Sequence, residues 1–295
     1  RSTHGTRIVL HDGRELVDGI CSWWTAVHGY NHPYLLDAMR RQLEVMPHVM
    51  LGGLAHEQAY TLATRLAALA PGDLSKVFFC ESGSVAVEVA LKIAVQWWRN
   101  TTGQVRSKFL AFRGGYHGDT FVTMSVCDPE DSMHSLFGPA LPTQYIADLP
   151  VDDQSAAELD RLLETHRDIA AVIIEPLLQG AAGMRMHDIA TLQRVRATCD
   201  RHGVPLIFDE IFTGFGRLGG MFAATVSDVT PDIMTLGKAL TGGVTPLAAT
   251  IASRRIYDAF HSDDATKALM HGPTYMGHAL GCAAANASLD LFRSD

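Results

Sequence analysis

Short runs that are apolar on both faces alternate along this chain with longer stretches whose apolar residues recur at helical spacing. The runs 76–80, 108–112, 171–174, 204–208, 233–236 and 247–252 predict strands of a sheet buried on both sides. The stretches 34–45, 56–70, 85–98, 156–166, 189–202 and 277–292 predict helices. Pro71-Gly72 stops the second of these, and the third is apolar nearly all round, as a buried helix is. Residues 7–17 alternate loosely about Asp12-Gly13, a hairpin signal, and residues 124–142 carry the proline and glycine of a long surface excursion. Strands alternating with helices indicate an α/β fold with a mostly parallel sheet. A boundary is hinted near Leu51-Gly52-Gly53, between an entry segment, 1–50, and a main unit, 51–295.

Polar residues close two of the strands. The run 204–208 ends in Asp209-Glu210, and 233–236 ends in Gly237-Lys238. Ligands of parallel sheets sit beyond the carboxyl ends of the strands, so Asp209 and Lys238 are expected in one crevice. Burying either charge costs several kcal/mol unless something pairs with it. Pyridoxal phosphate would satisfy both, its aldehyde meeting the amine and its ring nitrogen the carboxylate. Taken singly, Asp209 could equally be a helix cap or a surface ion pair, and Lys238 a solvated loop charge. An apolar run before Asp-Glu also fits the magnesium strand of a P-loop ATPase. That motif needs G-x-x-x-x-G-K-[ST] upstream, whereas the Gly-Lys here, Gly237-Lys238, lies downstream and precedes Ala239.

Other stretches add candidates. The strand 76–80, the turn Glu81-Ser82-Gly83-Ser84 and the following helix form the arrangement that binds phosphate at a helix start, or else a plain turn capped by Ser84. The segment GGYHGDT leaves Tyr116 at a strand end, where its ring can stack on a flat heterocycle or sit in the core. Of the adjacent Trp23 and Trp24, at least one is expected to line a pocket or an interface. His28 and His32 have the spacing of a metal pair on a helix, but Gly29, Asn31 and Pro33 make the segment a turn, and no metal is expected there.

Composition narrows the classes. Of 295 residues, 47% are hydrophobic and 19% charged, as in ordinary globular proteins. A net charge of −8 without basic clusters argues against nucleic acid or an anionic membrane as partner. The five cysteines are scattered without C-x-x-C, which indicates neither a zinc ribbon nor a disulfide framework and fits reduced thiols in the cytoplasm. No apolar run approaches the roughly 18 residues of a membrane span, and Arg1-Ser2-Thr3-His4-Gly5 does not read as a signal peptide.

The stretches SWWTAVHGYNHP, SGSVAVEVALK, YHGDTF, MSVCDP, IIEP, DEIFTGFGR, GKALTGG and HGPTYMGHALGCAAANASL together resemble the class III (fold-type I) pyridoxal-phosphate aminotransferases over essentially the whole chain. The interval of 29 residues between Asp209 and Lys238 suits that family. The Trp-Trp pair, YHGDT and CDP resemble its biotin-pathway members more particularly. The resemblance implies Lys238 as the cofactor-bearing lysine and proton shuttle, and Asp209 as partner of the pyridine nitrogen. Ile211 would pack on the ring face opposite Tyr116, and Gly83 and Ser84 would hold the phosphate. Pro273 and Thr274 would serve the cofactor of a neighbouring subunit, which makes a homodimer obligatory. Trp23, Trp24, Tyr116, Asp119 and Arg217 would line the substrate channel. The implied donor is S-adenosylmethionine and the implied acceptor 8-amino-7-oxononanoate. An ω-amino acid or diamine transaminase and a non-catalytic remnant of the fold stay open beside that reading.

Departures from the family are visible too. Glu81 stands where relatives often have Asp. Phe212 stands where many have a Gln that touches the cofactor's phenolic oxygen. The family's chains also run further at both ends, so an incomplete small domain is expected, without the N-terminal tyrosine-bearing segment and the C-terminal carboxylate-binding arginine.

Overall fold

The computed structural model describes residues 1–130 and 133–293. Residues 131 and 132, within the excursion expected at 124–142, lie outside the described residues. Around them that excursion holds the end of a short helix, Phe121–Ser125, and a 3-10 turn, Ser135–Ala140.

The chain opens with a small antiparallel sheet of β1 (Ser2–His4), β2 (Arg7–Val9) and β3 (Glu15–Val17). The expected hairpin joins β2 to β3. Its turn is closed by the Leu10 N–H donating to the Arg14 carbonyl at 2.8 Å, with Gly13 at φ +89°, a backbone that side chains resist. The polar β1 carries no strand signal of its own and forms by pairing with β2.

The main sheet has seven strands. They are β4 (Leu74–Cys80), β5 (Lys108–Phe112), β6 (Tyr145–Ala147), β7 (Ile169–Ile174) and, beyond a short ribbon of β8 (Leu178–Gln179) and β9 (Arg185–Met186), β10 (Leu206–Asp209), β11 (Ile233–Leu236) and β12 (Ala248–Ser253). Their spatial order is β4-β12-β11-β10-β7-β5-β6. The run from β6 to β11 is parallel, while β12 pairs antiparallel with both β11 and β4. The mostly parallel sheet is therefore as expected, with one reversed strand that the apolar pattern does not mark. Every residue of β7, β10, β11 and β12 is buried, which is why these strands read as unbroken apolar runs.

The helix Gly83–Thr102 lies across β7, β11 and β12. It exceeds the expected 85–98 because Ser82 caps its start and Gly103, at φ +73°, turns the chain away at its end. The helix Ala279–Leu291, almost all small buried residues, allows the close approach of Pro33–Val45 and Glu57–Leu69. Among the described residues no helix is long and apolar enough to cross a membrane.

Candidate active site

All the parallel strands deliver their carboxyl ends to one side of the sheet, where the chain sends out residues 81–84, 114–118, Glu175, 210–212 and 237–238. Between these segments lies a cavity of about 150 Å³, lined by Gly83, Ser84, Tyr116, His117, Gly118, Glu175, Asp209, Ile211, Phe212 and Lys238. Asp209 and Lys238 thus share one cavity. A larger groove, about 640 Å³, runs along the outer face of the helix Gly83–Thr102, and the lysine that lines it, Lys92, is exposed.

Asp209 ends β10 at 3% exposure. Its Oδ2 accepts a hydrogen bond from His117 Nδ1 at 2.8 Å, so Nδ1 carries the proton. Its Oδ1 accepts from the Thr235 hydroxyl and the Ile211 N–H, each at 3.2 Å. Thr235 is available because strand register sets it opposite Asp209 on β11. Behind them Glu175 accepts the N–H groups of Tyr116 and Gly180, both at 3.0 Å. Burial pushes the Glu175 carboxyl up to about 7, with His117 pulling the other way.

Lys238 follows β11 through Gly237 and sits half-buried at φ +33°, a conformation uncommon for a residue with a side chain. Burial pushes its amine below the ordinary lysine range, opposed by Asp209, then Glu175 and Asp119. Its Nζ lies 5.9 Å from the ring centre of Trp24. The Trp24 indole meets the Phe212 ring edge-on at 4.8 Å, and the Arg217 guanidinium lies 5.0 Å from the same Phe212 ring. Of the tryptophan pair, then, Trp24 faces this group, while Trp23 is 72% exposed.

The helix start forms another wall. Its cap is Ser82, whose hydroxyl accepts the Val85 N–H at 3.3 Å, and not Ser84. Ser84 Oγ instead accepts the Asp119 N–H at 3.0 Å, tying the GGYHGDT segment to the helix. A Cβ on Gly83 would come within 3.0 Å of two Ile211 side-chain carbons, so the glycine lets Ile211 close over the helix start. A second groove of about 430 Å³ adjoins through Gly83 and Lys238 and is lined also by Thr25, Glu81, Ser82 and Thr241.

Tyr116 stacks on His134 at 5.8 Å, and burial followed by a hydrogen bond to Asp119 raises its hydroxyl pKa. Asp119 is largely exposed and accepts from His134 Nε2 at 2.9 Å. Pro273 and Thr274 are not among the lining residues of this cavity, and Thr274 is exposed. Four residues at the site were not read from the sequence as site residues: His117, Gly118, Glu175 and Thr235. Glu175 closes strand 171–174 just as Asp209 closes its own, and Thr235 is the one polar residue within the apolar run of β11. Those signals were present. The pairing of His117 with Asp209 joins positions 92 apart, and no local pattern announces it.

The set fits pyridoxal phosphate. A part-buried amine and a buried, hydrogen-bonded carboxylate face one space, a helix start offers N–H groups for a phosphate, and Ile211 gives an apolar surface for a ring face.

The family model for class-III aminotransferases matches residues 1–295. The chain is 48% identical over 297 residues to the adenosylmethionine-8-amino-7-oxononanoate aminotransferase of Mycobacterium leprae, covering 98% of this chain and 68% of that one. Its fold superposes on the crystal structure of the protein of the same name from Methanocaldococcus jannaschii with a TM-score of 0.94 at 35% identity, over 100% of this chain and 68% of the other. It also matches an amine transaminase from an uncultivated Pseudomonas species in its PLP-bound form, with a TM-score of 0.92 at 36% identity, covering 100% of this chain and 70% of that one. The chain spans about 70% of the length of these relatives. With the acid, the amine and the helix start gathered as that chemistry requires, the chain belongs to the class III aminotransferases, a family that works with pyridoxal 5'-phosphate.

Proposed function

We propose that this chain transfers the amino group of S-adenosylmethionine to 8-amino-7-oxononanoate, a step of biotin biosynthesis. The observation that carries the reading is the shared cavity of Asp209 and Lys238, joined to 48% identity with a relative named for that reaction. Pyridoxal phosphate, when bound, supplies the aldehyde that takes and returns the amino group and the ring that withdraws electrons.

The chain's own residues do the rest. Lys238 Nζ, its basicity lowered by burial, takes a proton from the amino-bearing carbon of the donor and returns one to the keto-bearing carbon of the acceptor. Asp209 presents a carboxylate to the ring nitrogen, held in place by His117 and Thr235. Ser84 and the first N–H groups of the helix Gly83–Thr102 receive the phosphate. Ile211 and Tyr116 line the space that the ring would take, and Trp23, Trp24, Asp119 and Arg217 would line the approach. Phe212 cannot hydrogen-bond a phenolic oxygen as Gln would, and its ring instead supports Trp24 and Arg217. Residues 1–50 thereby furnish part of the substrate pocket and residues 51–295 the cofactor site. Thr274, exposed and outside this cavity, together with Pro273 fits service to a second subunit's cofactor in a homodimer. A cytoplasmic setting fits the five unpaired cysteines.

The test supplies the holoenzyme with S-adenosylmethionine and 8-amino-7-oxononanoate and follows 7,8-diaminononanoate by mass spectrometry. Product formation is expected. Transfer from simple ω-amines with none from S-adenosylmethionine would overturn the assignment in favour of an ω-amine transaminase.

A further inference from the structure

The geometry points to Asp18 as a positioning residue for the substrate wall: with Tyr30 it clamps the turn Cys21–Trp24 and so sets the Trp24 indole against Phe212 and Lys238. The clamp is needed because the turn is left-handed throughout, with φ of 50°, 51°, 54° and 66° at Cys21, Ser22, Trp23 and Trp24. Residues with side chains resist such a run, since each Cβ crowds the following carbonyl oxygen. Asp18 accepts from both sides of it. Its Oδ1 takes the Ile20 N–H at 3.0 Å, and its Oδ2 takes the Ser22 N–H at 2.7 Å and the Tyr30 hydroxyl at 2.5 Å. The Tyr30 hydroxyl holds the Asp18 carboxyl below the usual range, so the acceptor is charged at neutral pH.

The rest of the turn follows from that hold. The Trp24 N–H donates to Ile20 O at 2.7 Å, and the Thr25 hydroxyl donates to Ser22 O at 2.9 Å. Relaxed to the right-handed conformation, the same residues would swing the Trp24 side chain off the Phe212 ring and away from Lys238. Arg217 would lose its long contact to the Trp24 carbonyl, now 3.5 Å. The catalytic consequence rests on the transamination reading of the cavity, whereas the position of Trp24 does not.

Trp97 and Trp98 are buried, so in a Trp23→Phe background Trp24 is the indole most open to quencher. Adding Asp18→Ala should red-shift the emission and raise its quenching by acrylamide, an effect absent when Trp24 is also Phe. In the holoenzyme, Asp18→Ala should raise KM for the amino donor and lower kcat/KM by on the order of tenfold or more. Asp18→Asn, which keeps one acceptor oxygen, should fall between. Unchanged emission in Asp18→Ala overturns the proposal. So does a loss of kcat/KM in a Trp24→Ala background as large as the loss with Trp24 present. No turnover by the unaltered chain would count against the proposed function, while the emission result still decides the role of Asp18.

Discussion

His117 Nδ1 stands 2.8 Å from Asp209 Oδ2, with both side chains almost wholly buried. The imidazole is the sole side-chain donor to that oxygen among the described residues, and it reaches it from the loop after β5. Replacing it by alanine leaves a buried acceptor short of a donor, a loss of about 1–3 kcal/mol. His117→Ala is therefore expected to weaken retention of pyridoxal phosphate by about tenfold to a hundredfold. His117→Asn, whose amide can donate, should recover part of it. Equilibrium dialysis against the cofactor measures both, and an unchanged dissociation constant would contradict the role.

Burial raises two carboxyls, Glu175 and Glu210, to about 7. Glu210 accepts the N–H groups of Ala223 and Ala224 and the Thr213 hydroxyl, closing the start of the helix Ala223–Ser227. An unfolded glutamate titrates near about 4.3, so the folded chain binds more protons between the two values. Each group's contribution is then full below the lower pKa and lost as pH rises through the upper one, at up to about 1.4 kcal/mol per pH unit. Denaturant unfolding followed from about pH 5 to pH 8 should give a shallower decline for Glu175→Gln than for the unaltered chain. Parallel curves would show that Glu175 is already ionised across that range.

Gly118 is held at φ +128°, and a Cβ there would lie 2.9 Å from Ser84 Cα and 2.8 Å from Ser84 Cβ. Gly118→Ala adds about 1–3 kcal/mol of backbone strain and pushes Ser84 off the helix start. Both lower stability in urea and weaker cofactor binding are expected. A variant that unfolds earlier yet binds the cofactor as before would separate Ser84 from the phosphate.

The core makes its own demand. Phe208 is fully buried in β10 and is registered between Ile174 of β7 and Met234 of β11. Phe208→Ala should cost about 3–5 kcal/mol of unfolding free energy, read from the urea midpoint at constant slope.

Legibility in the sequence followed the range of the forces involved. The strands carrying Asp209 and Lys238 were readable because complete burial makes them unbroken apolar runs, and the helix 189–202 because its cap, period and end are all local. The reversal of β12 was not readable, since burial on both faces looks the same in either direction. Nor was the choice between Trp23 and Trp24, which depends on a left-handed turn held by Asp18 and Tyr30 from outside it. The hydroxyl of Ser84 suits a cap, yet the helix begins two residues earlier than a Ser84 cap requires, and Ser82 takes the role.

The bridging of Asp209 and Lys238 by one cofactor is tested most directly by trapping. The chain has lysines at 76, 92, 108, 238 and 267, any of which could react with an aldehyde. The protein is loaded with pyridoxal phosphate, reduced with borohydride, digested and read by mass spectrometry. A pyridoxyl group on Lys238, and none retained at that site in Lys238→Ala, is the expected result; a label confined to the other four lysines, with Lys238 unmodified, would contradict it.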